Sequence, residues 1–254
     1  MAETMKLAYA DRAEFLGDTD FVRVPIAGLT SKEYAEALRS VINPAKATPS
    51  SEIRHGQPGR YESSSTTHFS VMDGNGNAVS NTYTLNFSYG TGITAAGTGI
   101  LLNNEMDDFS SKPGVANAYG LLGNENNAIQ PEKRMLSCMT PTIVVRDSKP
   151  YLVTGSPGGS RIITTTLQII LNVIDHGMNV EEATKAPRIH HQWLPDQLTI
   201  EKGLAERTVE KLTEMGHTVT ERGSMGVTQS IMWKDGEFYG AADKRISSST
   251  AMGY

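Results

Sequence analysis

A strand that begins at Thr66 constrains this chain more than any other feature. The run Ser63-Ser64-Ser65-Thr66-Thr67-His68-Phe69-Ser70-Val71-Met72 closes a polar stretch holding Pro44, Pro49, Gly56, Pro58 and Gly59, and opens an alternating one. Asp73-Gly74-Asn75-Gly76 then supplies a turn and Ala78 to Asn86 a second strand-like run. The spacing predicts a β-hairpin. Thr66 therefore stands where an exposed linker meets a strand. If the Ser65–Thr66 bond is cut, Thr66 gains a free α-amine beside its own hydroxyl. That amine can take the hydroxyl proton, directly or through water, and turn the hydroxyl into a nucleophile. A Thr-Thr pair in a serine-rich linker is more often only linker, so this reading needs support from elsewhere in the chain.

Composition sets outer bounds. The 254 residues suit one large domain, or a domain with an appendage, and 38% hydrophobic content is enough to bury a core. A net charge of -5 argues against a nucleic-acid surface. No run approaches the roughly 18 apolar residues that cross a bilayer, and Met1-Ala2-Glu3-Thr4-Met5-Lys6 has neither the basic start nor the apolar stretch of a signal peptide. The single cysteine, Cys138, excludes an internal disulfide framework. The histidines, His55, His68, His176, His190, His191 and His217, show no metal-ligand spacing, so no metal is expected.

Taken in order, the chain reads as helix up to about Leu16, then a second helix from Thr30, with Thr30 and Glu33 as a capping box. Tyr34, Leu38, Val41 and Ile42 give it an apolar face, and Asn43-Pro44 ends it. These helices lack a companion sheet on their side of the linker and look like the end of something longer. The stretch from Asn43 to Ser65 is the candidate boundary. Beyond the hairpin, Ile100-Leu101-Leu102 reads as a buried strand leading into the acidic run Asn103-Asn104-Glu105-Met106-Asp107-Asp108-Phe109, by default a solvated turn. Ser110 to Asn127 is a long loop of the kind that forms lids. Thr142–Val145 and Tyr151–Thr154 predict another hairpin. Gly155-Ser156-Pro157-Gly158-Gly159-Ser160-Arg161 then runs into Ile162–Ile174, a helix apolar nearly all round. A glycine loop opening a helix points N–H groups at an anion. It lacks the Gly-Lys-Ser/Thr ending of a phosphate loop and can equally form an oxyanion hole. Asn179 and Glu182 cap a short helix, another runs through Ala205, Val209 and Leu212 to Gly216, and the last strands begin at Val219, Gly226 and Phe238. Strands, then helices, then strands suggest layered sheets and helices.

Several of these segments together resemble the bacterial gamma-glutamyltranspeptidases: Thr66-Thr67-His68-Phe69-Ser70-Val71, Thr82-Tyr83-Thr84-Leu85-Asn86, Gly99 to Asn104 with Asp107-Asp108-Phe109, Thr154 to Arg161, Thr228-Gln229-Ser230-Ile231-Met232 and the terminal Gly253-Tyr254. The resemblance covers essentially the whole chain, in order. It implies an α+β N-terminal nucleophile hydrolase fold, a four-layer αββα sandwich. It also implies a precursor that cuts itself, with residues 1–65 as the tail of a large subunit and 66–254 as the small catalytic subunit. Thr66 would be nucleophile in both self-cleavage and catalysis, Thr84 would hold its hydroxyl, and Gly158 and Gly159 would form the oxyanion hole. Asn86, Glu105 and Asp108 would receive the substrate α-ammonium, Ser137 and Cys138 the α-carboxylate, and Tyr119 would be a lid residue reaching Asn86. The substrates implied are glutathione and other gamma-glutamyl amides, with water or an amine as acceptor and no cofactor. The implied location is periplasmic or secreted.

Two departures stand out. Cys138 occupies a position where the bacterial enzymes usually carry a second serine, and a thiol is the weaker donor. The family's carboxylate-binding arginine lies in the body of the large subunit, which these residues do not include, and Arg161 is no obvious substitute. A cephalosporin-acylase-like amidohydrolase of the same fold, an inactive non-catalytic fragment and a nucleotide-binding module on the Gly158-Gly159 loop are the alternative readings.

Overall fold

The computed structural model describes residues 1–53 and 66–253. Ser65, Tyr254 and the Gly56–Gly59 part of the linker lie outside the described residues. In chain order the helices are α1 (Ala2–Phe15), α2 (Ile26–Leu29), α3 (Lys32–Ser40), α4 (Arg161–Ile174), α5 (Val180–Lys185) and α6 (Glu206–Glu214). The strands are β1 (Thr66–Met72), β2 (Ala78–Thr84), β3 (Thr142–Arg146), β4 (Lys149–Thr154), β5 (Ile189–His190), β6 (Leu198–Glu201), β7 (Val219–Arg222), β8 (Gln229–Lys234) and β9 (Glu237–Ala242). The chain divides into two compact units, one built from 1–62, 105–137 and 189–222 and the other from 63–104, 138–188 and 223–254.

The second unit carries the hairpin. β1 and β2 pair antiparallel with Thr66 opposite Thr84 and Met72 opposite Ala78. Asp73 closes the turn by accepting from the backbone N–H of Asn75 and Asn77, the local bonding that makes Asp and Asn turn formers. The period of two puts Thr66, His68 and Ser70 on one face with Ser80, Thr82 and Thr84. That face meets the four-stranded sheet β3-β4-β8-β9: Ser70 Oγ donates to Gln229 O at 2.8 Å, and Ser80 Oγ to Thr154 O at 2.9 Å. On the far side of this sheet, α4 and α5 bury Ile169, Val173, Val180 and Ala183 against Tyr151, Leu152, Met232 and Ala241. Helix, sheet and hairpin thus stack as three layers, joined by an apolar seam on one side and a hydroxyl-rich seam on the other.

In the first unit, β5-β6-β7 form a sheet in which β5 and β6 are antiparallel and β6 and β7 parallel. The β6–β7 crossover passes through α6, and Ala2, Leu198 and Ile200 form a buried cluster that Val209, Leu212 and Val219 adjoin. Gly216, at φ +97°, supplies the left-handed residue that ends α6.

Four local expectations need correction. The cap of α3 is Ser31, whose side chain accepts from Tyr34 N. Thr30 instead terminates α2 and donates its hydroxyl to Ile26 O at 2.8 Å. Ile100-Leu101-Leu102 is no buried strand: only Leu101 makes an isolated bridge, to Thr94, and Ile100 and Leu102 are exposed. α4 is not the all-round apolar helix expected: its buried residues include Thr164, Thr165, Thr166 and Gln168, while Leu167 and Ile174 are exposed. The second strand of the first hairpin stops at Thr84, because Asn86 turns the chain with φ +71°.

Candidate active site

Thr66 leads β1, and its Oγ1 donates to Thr84 Oγ1 at 3.2 Å across the hairpin. The direct pairing of the two residues follows from the register, which the Asp73–Asn77 turn fixes. Thr84 Oγ1 also accepts from the backbone N–H of Asn86 at 2.8 Å. Asn86 is buried in the left-handed region that asparagine tolerates. Its Nδ2 donates to Asn104 O at 3.1 Å, while Asn104 Oδ1 accepts from Phe87 N at 2.9 Å. Thr66, Thr84 and Asn86 are therefore joined through consecutive hydrogen bonds, and Asn104 locks the turn that holds Asn86.

A cavity of about 350 Å³ is lined by Thr66, Pro157, Val227, Gln229, Ile246 and Ser249, among others. Pro157 precedes the glycine pair. Gly158 has φ +141° and Gly159 φ +56°, conformations that suit glycine. Their carbonyls accept from Arg161 N and Ile162 N at 3.1 Å, so the pair is built into the first turn of α4. No described residue accepts from the N–H of either glycine. Two N–H donors of buried glycines at a helix N-terminus form an arrangement that can receive an anionic oxygen.

Residues given no role from the sequence hold this loop. His68 is buried; its Nδ1 lies 2.7 Å from Thr82 Oγ1 and its Nε2 3.1 Å from Ser70 Oγ. Ser70 spends its proton on Gln229 O, so Nε2–H is the donor to Ser70, and Nδ1 accepts from Thr82. The ring also lies against Gly155, where an added Cβ would sit 2.3 Å from His68 Cε1. From the other side, Ser156 Oγ accepts from Val227 N at 2.8 Å, and a Cβ on Gly158 would stand 3.3 Å from Gly226 Cα. The Gly226 segment is braced in turn by a fully buried ion pair, Arg188–Asp243 at 2.6 Å. Arg188 Nη1 donates to Met225 O and Gly226 O, and Asp243 accepts from Thr228 N.

Burial lowers the His68 pKa to about 4, which keeps the ring neutral. Unfolded histidine titrates near 6.5. Between those values the unfolded state binds the extra proton, so stability is complete above about pH 6.5 and falls as pH drops toward 4, by up to about 3 kcal/mol. Urea midpoints measured across that range should show this fall. In His68→Asn the same pH limb should be flatter; an unchanged limb assigns it to other groups.

Of the other expected residues, all but Cys138 belong to the first unit. Glu105 and Asp108 share the 3-10 turn Glu105–Asp108. Asp108 lines a small hollow with Arg12, Phe109, Ser110 and Asn127. Burial, then the charge of Glu105, pushes its pKa up to about 7 against the opposing pull of Arg12. Burial raises Glu105 as well. Tyr119 is buried, and its carbonyl accepts from Gln192 Nε2 at 3.1 Å. Ser137 is exposed, whereas Cys138, in no disulfide, is half-buried in the second unit and its carbonyl accepts from Thr140 Oγ1. Among the described residues, no group of three His, Cys, Asp or Glu side chains could hold a metal, and no helix is long and apolar enough to cross a membrane.

A strand-leading threonine held by a cross-strand hydroxyl, beside a glycine loop with free donors, is the arrangement of an N-terminal nucleophile hydrolase. The gamma-glutamyltranspeptidase family model matches residues 1–253, and the chain belongs to that family. It is 59% identical over 255 residues to the glutathione hydrolase proenzyme of Escherichia coli (strain K12), covering all of this chain and 44% of that protein. The chain thus spans less than half the length of this curated relative. A mutant of Helicobacter pylori gamma-glutamyltranspeptidase superposes with TM-score 0.69 and 55% identity, over 71% of this chain and 100% of that one. Cephalosporin acylase from Bacillus halodurans superposes with TM-score 0.80 and 26% identity, over 100% of this chain and 44% of that one. The α+β fold is that of the N-terminal nucleophile hydrolases these relatives represent.

Proposed function

We propose that this chain is the catalytic part of a precursor that cuts itself between Ser65 and Thr66 and then transfers gamma-glutamyl groups from glutathione or related amides to water or to an amine. The observation that carries the reading is the Thr66–Thr84 hydroxyl pair at the head of β1, in a member of this family. The freed α-amine of Thr66 acts as base, and the hydroxyl attacks the gamma carbonyl. Gly158 N–H and Gly159 N–H stabilise the oxyanion, an ester forms on Thr66 as the amine leaves, and the acceptor resolves it. No cofactor enters these steps. Residues 1–65 are the tail of the large subunit and 66–254 the small one. The Helicobacter relative supports this division, since the whole of that chain matches 71% of this one, close to the share that follows Ser65. Its remaining large-subunit body is the partner, and the whole enzyme is periplasmic or secreted. Intact-mass measurement on the full-length precursor tests the cleavage: products must divide between Ser65 and Thr66, and a cut at another bond overturns the assignment.

The family resemblance is what assigns the substrate's α-ammonium to Asn86, Glu105 and Asp108, its α-carboxylate to Ser137 and Cys138, and a lid role to Tyr119. Asp108 gives this a pH signature. With its pKa raised to about 7, the carboxyl is largely protonated below pH 7 and must lose that proton to meet an ammonium. Binding should weaken about tenfold for each pH unit below 7. Asp108→Asn should raise KM about thirtyfold at pH 8 and remove this slope. Steady-state assays with a gamma-glutamyl anilide read both, and an unchanged kcat/KM would remove Asp108 from the ammonium site.

An acylase-like amidohydrolase is the second reading, favoured by the match of all of this chain to 44% of the Bacillus halodurans enzyme. Release of an acyl group lacking the α-amine, at a rate matching a gamma-glutamyl anilide, would select it. An inactive fragment would release neither.

A further inference from the structure

We infer that a buried ionic cluster around Lys6 is a clasp that keeps the two products of self-cleavage together, its partner being the tail of the same precursor. The inference rests on the proposed cut before Thr66. It begins from α1, whose buried face is not simply apolar: Ala2, Met5, Tyr9, Ala10 and Ala13 are buried, and so are Glu3 and Lys6. Lys6 is 1% exposed. Its Nζ meets Glu3 Oε1 at 2.9 Å, Thr48 O at 2.8 Å and Asp196 Oδ1 at 3.5 Å. Thr48 N donates to Glu3 Oε2 at 3.1 Å, and Ser50 N to Asp196 Oδ2 at 2.7 Å. Two buried histidines border the carboxylates, His191 at 3.3 Å from Asp196 and His217 at 3.9 Å from Glu3. Buried Trp193 adds its indole N–H, shared between Ser50 O at 3.1 Å and Ile53 O at 3.0 Å. Ala47 N closes the set on Met215 O at 2.6 Å.

A cut before Thr66 sorts these groups into two chains. Glu3, Lys6, Ala47, Thr48, Ser50 and Ile53 go to one, and His191, Trp193, Asp196, Met215 and His217 to the other. The Lys6–Asp196, Ser50–Asp196, Trp193–Ser50, Trp193–Ile53 and Ala47–Met215 contacts all become contacts between chains. The same sorting applies further along: Glu14 O accepts from Asn124 Nδ2 and Asn126 Nδ2, and Asp18 pairs with Arg134. Separating the chains would expose the buried Lys6–Glu3 pair and take from Lys6 its second carboxylate, Asp196, whose own side chain is 42% exposed. Removing one partner of a buried pair costs far more than replacing the pair.

The test uses the full-length precursor after processing, with exchange of an isotopically labelled subunit followed by native mass spectrometry. Lys6→Met should exchange about tenfold faster than wild type, and Lys6→Arg should recover part of the loss. Lys6→Met and Asp196→Ala together should accelerate exchange by less than the product of their separate effects, as contacting residues do. Trp193→Phe leaves the charged groups in place and removes the indole N–H with part of the buried ring; it should accelerate exchange about five- to tenfold. A cut precursor whose Trp193→Phe and Lys6→Met forms exchange at the wild-type rate overturns the clasp alone. A wild-type precursor that stays one chain overturns the processing reading, and the clasp with it.

Discussion

Thr66→Ala in the full-length precursor is expected to leave one uncut chain with no measurable gamma-glutamyl release. The methyl side chain has no nucleophile for either step, and the Thr84 hydroxyl that holds Thr66 cannot replace it, because its hydroxyl accepts from Asn86 N and it has no adjacent free amine. Loss of a nucleophile costs about 10⁴-fold or more in rate, leaving only what binding and the oxyanion hole contribute. Supplying the two chains separately isolates the catalytic step from processing: with Thr66→Ala the coexpressed pair should still assemble but remain inactive. Thr66→Ser, which keeps the hydroxyl and the amine, should be cut and retain measurable turnover. Processing that persists in Thr66→Ala would remove this residue from the mechanism.

Gly158→Ala should produce the next largest loss, a fall in kcat of about 10² to 10³ with the precursor still soluble. Two causes act together. At φ +141° an L side chain is strained, and the added Cβ would stand 3.3 Å from Gly226 Cα and 3.8 Å from Arg161 Cβ. The Gly226 backbone cannot retreat freely, since Arg188 grips its carbonyl. The loop must therefore move, and its N–H groups with it. Because the glycine carbonyls belong to the first turn of α4, a small shift changes where both donors point. Single-turnover kinetics should place the loss in acylation rather than in KM. A kcat within threefold of wild type would show that the oxyanion is held elsewhere.

How much of this was legible in the sequence depended on the range of the interactions. The β1–β2 hairpin was readable because alternation and the Asp73–Gly76 turn are both local. The capping box Asn179/Glu182 was readable for the same reason. Thr30 and Ser31 are adjacent and both are cap-forming types, so only the termination of α2 at Leu29 decides between them. Ile100-Leu101-Leu102 has the hydropathy of a core strand, but hydropathy cannot show that its backbone pairs only with the neighbouring 91–95 segment and leaves Ile100 and Leu102 exposed. β5 and β6 are two and four residues long, too short for a period to emerge. The face α1 buries includes Glu3 and Lys6, which a hydrophobic pattern assigns to solvent. Thr66 gained weight only from the other motifs taken together, and Glu105 and Asp108 had no reading beyond a solvated turn until the resemblance supplied one. His68 was hidden in plain alternation, and Arg188 and Asp243 meet across 55 positions.

The outward side of the hairpin has a practical consequence. Phe69 and Val71 on β1, and Val79 and Tyr83 on β2, are 45–60% exposed, while β1 and β2 form a sheet of only two strands among the described residues. An apolar two-stranded ribbon with both edges open is a template for strand addition and self-association. Preparations of these 254 residues should therefore be handled as a sticky intermediate. Light scattering that rises with concentration, and falls when Phe69 and Tyr83 are replaced by threonine, would trace precipitation to that ribbon rather than to a misfolded nucleophile strand.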